Sequence, residues 1–488
     1  MQNSAQVIQK YRTILSYTGF IYIIVGFILL APLLELAAAP DEYTYKDGFI
    51  IPALVIMMLG LLLWKGCRPR VKTIVTVQEG GVIVLLSWVV TCLVSAFPFM
   101  LILRLNFTQA VFEAVSGWTT TGLSVVDVNS APRCILLYRS IIQLAGGAGF
   151  AVIMLASLTG PAGVGYSLAE GRNDQLVPHV RESAKLVIMI YIGYALVGCI
   201  AYKVAGMTLF DAVNHTFAAI STGGFSTRPE SIGYWNSSSI EAISIVLMIF
   251  GNMNFLTAFL LFNAKFRPFM KNGEVRVLAT LLPAGALIIF LAVSRGLYPA
   301  LGKSIRVALF EAVTSLTTTG FSTVSYTDWN TAGFLILILF MLIGGGTCST
   351  AGGIKQYRVY LMYRMFIWEI RKAFLPRTAM VPIAVWRGEN MDYITDSHVR
   401  EVAVYMFLYL ALFFVGTMVI ALYGYSFRDS MFEFASSIGT VGLSIGVTAP
   451  DAPGAVLWTE TLGMFLGRLE FFVVFVSIGK IVKDIWRR

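Results

Sequence analysis

Long apolar runs separated by short polar stretches set the plan of this 488-residue chain. A helix that crosses a bilayer needs about 20 predominantly apolar residues. Ten segments fit: Ile14–Ala38, Phe49–Trp64, Gly80–Leu103, Ile135–Leu158, Ser183–Gly206, Ser239–Phe262, Val275–Val293, Thr331–Ile343, Val399–Tyr423 and Ala455–Lys480. Thr331–Ile343 is short, and its pattern continues past a glycine-rich break. The first run extends beyond the usual signal-peptide core and lacks a small-residue cleavage site, so it reads as an anchor.

Composition agrees. Hydrophobic residues make up 57% of the chain and charged residues 13%, with a mean hydropathy of +0.76, more apolar side chain than a soluble core of this length can hide. The net charge of +9 informs topology rather than nucleic-acid binding. Of 36 Lys and Arg, 25 lie on the side holding both chain ends, 10 on the other side, and Arg468 inside a span. Cytoplasmic loops carry such an excess, so both termini are expected in the cytoplasm. Anionic lipid headgroups suit the basic 355–400 segment. Cys67, Cys92, Cys134, Cys199 and Cys348 lack metal or disulfide spacing, and His179, His215 and His398 are scattered. No catalytic set or cofactor motif is evident, which argues against an enzyme.

One short pattern recurs four times: Thr120-Thr121-Gly122-Leu123-Ser124, Thr222-Gly223-Gly224-Phe225-Ser226, Thr318-Thr319-Gly320-Phe321-Ser322 and Thr440-Val441-Gly442-Leu443-Ser444. The key glycines are 102, 96 and 122 residues apart, room for two membrane helices and a loop, so the repeat is supersecondary. A single Thr-Thr-Gly is an ordinary turn; four copies can surround one axis. Each follows a segment too short to cross, expected to be a re-entrant half-helix, opening with Phe112-Glu113, Phe210-Asp211, Phe310-Glu311 or Phe432-Glu433. The Phe-to-Gly interval is ten residues in three copies and fourteen in the second, which predicts a half-helix one turn longer there. Gly224 preserves the shared ending, although Gly223 also allows an alignment.

Irregular backbone at membrane depth is tolerated where it lines a watery cavity. Glycine brings backbone close to an ion, so carbonyls of four such loops can replace a cation's waters. Half-helix C-termini, partly negative, favour a cation at the same place. The acids Glu113, Asp211, Glu311 and Glu433 read as ordinary first-turn dipole partners. Asp127, Glu230, Asp328 and Asp451 follow the glycines and suit either an outer acidic funnel or plain solvated loops.

A second constellation, Gly344-Gly345-Gly346-Thr347-Cys348-Ser349-Thr350-Ala351-Gly352-Gly353, interrupts the third repeat's inner helix. Five glycines in ten residues break a helix. No Gly-Lys-[Ser/Thr] follows, so this is not a phosphate-binding loop; a close-packing break and a mobile plug both remain open. Gly146-Gly147-Ala148-Gly149 reads as small-residue helix packing. Asn252 and Asn254 occupy the inner helix of repeat two, where cavity lining and bonding across helices are both open. Arg468, near the middle of the last span, is expected to face a pore or a partner rather than lipid.

The four Thr-x-Gly-[Leu/Phe]-Ser loops resemble those of the Trk/Ktr/HKT superfamily of potassium transporters, and the two additional N-terminal helices resemble its TrkH-type subunit. The resemblance covers nearly the whole chain. It implies an all-α integral membrane protein of the bacterial cytoplasmic (inner) membrane, with four pseudo-symmetric helix–pore loop–helix repeats around one central pore. Its parts would be an N-terminal helix pair (1–78) and pore repeats at 79–160, 183–265, 275–373 and 398–488. It implies a K+ filter at Thr120, Thr121, Gly122, Thr222, Gly223, Gly224, Thr318, Thr319, Gly320, Thr440, Val441 and Gly442, with glycine at 122 favouring K+. It further implies a gating loop at 344–353, and Arg468 beside it as a barrier to cations, against which a structural salt bridge stands as the other reading. K+ is then the transported ion with no cofactor in the chain, and the partners are a second copy and a cytosolic nucleotide-binding regulator of the TrkA type. A carrier coupled to H+ or Na+ is the alternative.

Overall fold

The computed structural model describes residues 2–68, 75–147, 180–376, 382, 384–387 and 390–486. Among these, six helices are long and apolar enough to cross a membrane, and two further bent pairs pass the same test. Large apolar side chains point outward from such helices, as at Leu62, Leu196, Phe407 and Met418, the third of them 72% exposed. A soluble protein hides such residues; a bilayer solvates them.

The first two long helices, Gln2–Leu30 and Lys46–Gly66, lie against each other through glycine. A Cβ at Gly60 would stand 2.6 Å from the Gly19 carbonyl oxygen, and one at Gly19 2.7 Å from that of Gly60. Where lipid tails are as apolar as side chains, this close backbone approach is what holds helices together.

Four units of outer helix, pore helix and inner helix follow. In repeat one these are Val77–Ser95, Phe107–Trp118 and Arg133–Gly147. Repeat two has Val180–Val204, Leu209–Ile220 and an inner helix split into Ser238–Asn252 and Phe255–Phe262, bent by 116°. Repeat three has Gly273–Ile289, Leu301–Leu316, Thr331–Ile343 and, beyond the glycine-rich loop, Gln356–Lys372. Repeat four has Asp396–Leu422, Phe427–Ile438 and the bent pair Gly454–Leu469 and Phe471–Trp486, at 95°. A small antiparallel hairpin, Ala384–Arg387 with Asn390–Tyr393, precedes the last outer helix and adds to the all-α plan.

Three sequence expectations change. Ser239–Phe262 and Ala455–Lys480 are each two helices, because Met253 is extended and Glu470 takes a positive φ of 54°. The half-helix of repeat two has 12 residues, as in repeats one and four, and the longer one, with 16, is in repeat three. Arg139, one of the ten basic residues counted on the side opposite the chain ends, belongs to an inner helix and is buried. The part of Ile135–Leu158 beyond Gly147, Ala148, Gly149 and His179 lie outside the described residues.

Candidate functional site

The four pore helices end alike. In each, the threonine two residues before the key glycine takes a left-handed conformation, with φ of 56° at Thr120, 52° at Thr222, 54° at Thr318 and 50° at Thr440. A left-handed residue after a helix normally is glycine; it satisfies the last carbonyls through paired backbone bonds. Those bonds are present here: Thr120 N to Gly117 O at 3.1 Å and Thr121 N to Ser116 O at 2.9 Å, with counterparts reaching Ala219 and Ala218, Ser315 and Thr314, and Ser437 and Ser436. A β-branched residue in this region is a genuine outlier and survives only where its surroundings fix it. The glycines also have positive φ, 98° at Gly122, 72° at Gly224, 84° at Gly320 and 98° at Gly442. Gly224 is therefore the equivalent residue in repeat two, and every pore helix points its partly negative end at the loops.

These loops close a ring. A Cβ placed on Gly122 would strike the carbonyl oxygen of Gly223, one on Gly224 that of Thr319, one on Gly320 that of Val441, and one on Gly442 that of Thr121. The order runs one, two, three, four and back to one, so the predicted loop residues meet around a single axis. Three pore-helix carbonyls are also crowded by inner-helix glycines: Gly146 over Trp118, Gly251 over Ile220 and Gly467 over Ile438.

Behind the ring each loop is bracketed to its own pore helix. Glu113 accepts from Ser124 Oγ at 3.0 Å, Val125 N at 3.1 Å and Arg139 Nε at 2.8 Å. Glu311 accepts from Thr323 N at 3.0 Å and Tyr326 Oη at 2.5 Å, and Glu433 from Ser444 Oγ at 2.6 Å and Thr448 N at 3.0 Å. All three carboxylates are fully buried. They are mid-helix clamps rather than first-turn dipole partners, a correction of the sequence reading. Repeat two puts His215 in this place, its Nε2 2.9 Å from Ser226 Oγ, while Asp211 one turn earlier holds Thr227 Oγ1 at 2.6 Å. Asp127, Glu230, Asp328 and Asp451 are all exposed.

Directly against the threonines lies the glycine-rich loop. Gly352 N donates to Thr318 Oγ1 at 2.9 Å, Thr222 Oγ1 to Thr350 Oγ1 at 3.1 Å and Thr120 Oγ1 to Thr350 O at 3.5 Å. A Cβ on Gly352 would collide with Thr440 Oγ1. Gly345 N bonds Gly352 O at 3.1 Å, Ser349 Oγ donates to Gly346 O at 2.6 Å, and Ala351 N to Ser349 Oγ at 3.3 Å. Positive φ at Gly344 and Gly353, 68° and 81°, and at Cys348, 52°, turns the chain back on itself. From outside, Gly346 N bonds Asn252 O at 3.1 Å, Thr350 Oγ1 bonds Gly251 O at 2.9 Å, and Glu274 accepts Thr347 N at 2.6 Å and Thr347 Oγ1 at 2.7 Å. Asn254 Nδ2 reaches Thr347 Oγ1 at 3.2 Å.

Arg468 joins this loop to the first repeat. Its guanidinium donates to Thr350 O and, at 2.6 Å, to Gly146 O. Glu470 turns away and pairs with Arg358 at 2.8 Å. Lys355, whose Nζ donates to Ala351 O, is a second cation bonded to this loop. Sequence reasoning passed over Gln143, whose amide donates to Gly223 O and accepts from Phe225 N at 3.2 Å. It also passed over Arg139 and Glu274. Polar residues inside apolar spans were the available signal.

Four converging re-entrant loops inside one predominantly helical polypeptide, with a fifth loop packed against them, define a membrane transport protein of the four-repeat pore-loop class. Comparison with known proteins agrees. Residues 48–484 match the TrkH family model, described as cation transport protein, and the chain belongs to that family. It is 28% identical over 470 residues to an uncharacterized cation transporter of Methanocaldococcus jannaschii, covering 95% of this chain and 94% of that one. It is 31% identical over 482 residues to the Trk system potassium uptake protein TrkG of Escherichia coli K12, covering 95% and 97%. The crystal structure of the potassium transporter TrkH from Vibrio parahaemolyticus superposes with a TM-score of 0.79 at 28% identity, over 94% of this chain and 98% of that one.

Proposed function

We propose that this chain is the pore subunit of a K+ uptake system of the cytoplasmic membrane, with 79–160, 183–265, 275–373 and 398–488 as its pore repeats after the 1–78 helix pair. The observation that carries the reading is the closed ring in which each glycine abuts a carbonyl oxygen of the next loop. Carbonyls of Thr120, Thr121, Gly122 and their counterparts would coordinate dehydrated K+, with four pore-helix C-termini adding partial negative charge. The relatives named for potassium uptake support the choice of ion.

Residues 344–353 act as the gate, since their bonds to the threonine ring block the path below it, and Arg468 adds a positive barrier to cations while the gate is shut. The basic 355–400 segment and both termini face the cytoplasm and anionic lipid; the loops and exposed acids face outward. A second copy and a cytosolic nucleotide-binding regulator of the TrkA type complete the system. The second reading, a carrier coupled to H+ or Na+, draws on the breaks in three inner helices, a feature of carriers.

Purified chain in liposomes tests both. Rb+ uptake down its gradient with no second ion is expected, and strict dependence on H+ or Na+ would favour the carrier. Gly122→Ser, which puts a side chain at φ 98° against the Gly223 carbonyl, is expected to lower K+ preference over Na+. An unchanged preference would remove the filter role.

A further inference from the structure

The four loops are not held equally. Of the three glutamates that clamp a loop, only Glu113 is matched by a cation of the inner helix, Arg139. Glu311 is met by a tyrosine and a threonine, and Glu433 by serine and backbone groups. Arg139 is 2% exposed and Glu113 0%, so each charge would be costly alone and is stable only as a pair.

The guanidinium does more than neutralise. Nε bonds Glu113 Oε1 at 2.8 Å, one terminal nitrogen bonds Ser124 Oγ at 2.7 Å, and the other reaches Ser226 O at 3.4 Å. Its Cζ lies over the Phe225 ring, 3.9 Å from the ring centre. Ser124 lies two residues after Gly122, and Ser226 two residues after Gly224. One side chain therefore grips the outgoing strands of two adjacent loops at the same level. One helical turn further along, Gln143 grips loop two again at Gly223 and Phe225. No lysine can reproduce this, because an ammonium is a point charge without the planar fork or the stacking face.

We infer that Arg139 is a positioning residue for ion selectivity, which fixes the spacing between loops one and two by bridging Glu113, Ser124, Phe225 and Ser226. This rests on the reading of the four loops as the filter. A ring that selects by its carbonyl positions needs each neighbour distance held, and at this junction the side chain that reaches across is itself anchored by a buried ion pair within repeat one. A fixed cation behind the ring costs the ion nothing, since Glu113 cancels it.

Three variants separate this role from fold maintenance, each assayed in liposomes for K+ against Na+ permeability beside Gly122→Ser. Arg139→Lys keeps the charge balance with Glu113 but loses the fork. Phe225→Leu keeps every charge and hydrogen bond but loses the stacking face. Glu113→Gln combined with Arg139→Gln removes both charges and keeps hydrogen-bonding groups. Loss of a supporting contact around a metal site costs about 10–100-fold in affinity. A drop of about tenfold in the K+ to Na+ ratio is therefore expected in Arg139→Lys, with maximal K+ flux changed much less than the half-saturating K+ concentration. A smaller drop is expected in Phe225→Leu. If Gly122→Ser shifts the ratio while Phe225→Leu and whichever charge variants fold keep the parent value, the positioning role is overturned and the filter reading stands. If Gly122→Ser shifts nothing either, the filter reading itself falls.

Discussion

Arg468→Ala tests the gate most sharply, because the structure lets the effect be sized. The guanidinium donates to Thr350 O in the glycine-rich loop and to Gly146 O in repeat one, tying that loop to the first inner helix. A hydrogen bond from a charged group contributes about 1.5–3 kcal/mol net. Of these two bonds, the one to Thr350 is to the loop, so if the loop is the gate the closed state loses about that much, and the opening equilibrium moves roughly ten- to hundredfold. Loss of the positive charge beside the path acts in the same direction. The alanine side chain leaves the other loop bonds to Gly251, Asn252 and Glu274 in place, so the gate is loosened rather than removed. The assay is Rb+ uptake by purified variant in liposomes without any cytosolic partner. Uptake well above the parent chain is expected, with Arg468→Lys between the two. Uptake at or below the parent level, in monodisperse protein, would refute the argument that this residue bars the pore.

Glu274→Ala removes the acceptor for Thr347 N and Thr347 Oγ1 and is expected to raise basal Rb+ uptake in the same assay, by about tenfold or more for charged-acceptor bonds. Gly19→Val wedges a side chain against Trp64 N and the Gly60 carbonyl; overpacking costs about 1–3 kcal/mol, so the melting temperature in detergent should fall while the K+ to Na+ ratio holds.

What sequence could and could not disclose follows from the physics of each feature. The loops were legible because a left-handed threonine and a positive-φ glycine impose a residue pattern four times over, and the shared Gly-[Leu/Phe]-Ser ending favoured Gly224 over Gly223. The break at 344–353 was legible because glycine density interrupts a helix whatever lies around it. The breaks at Met253 and Glu470 were hidden, since hydropathy runs on through both and neither residue is a helix breaker. The half-helix starts were misplaced because the caps were overlooked. Asn106 with Gln109, Thr208 with Asp211 and Ser426 with Asp429 mark the true first turns, which moves Glu113 and Glu433 into mid-helix. Once there, a buried acid needs partners, and those partners come from 11 to 26 residues onward in the chain. The Arg139 bridge to Ser226, 87 residues away, depends on two repeats meeting, which no local pattern encodes.

In the proposed function, four loops of one polypeptide hold a dehydrated monovalent cation on their shared axis. Anomalous scattering from crystals grown with Tl+, a heavy stand-in for K+, locates that ion. Peaks are expected on the axis at the level of Gly122, Gly224, Gly320 and Gly442, each ringed by backbone carbonyl oxygens from all four loops. Tl+ bound off that axis, or held by the side chains of a single repeat while the ring stays empty, would contradict it.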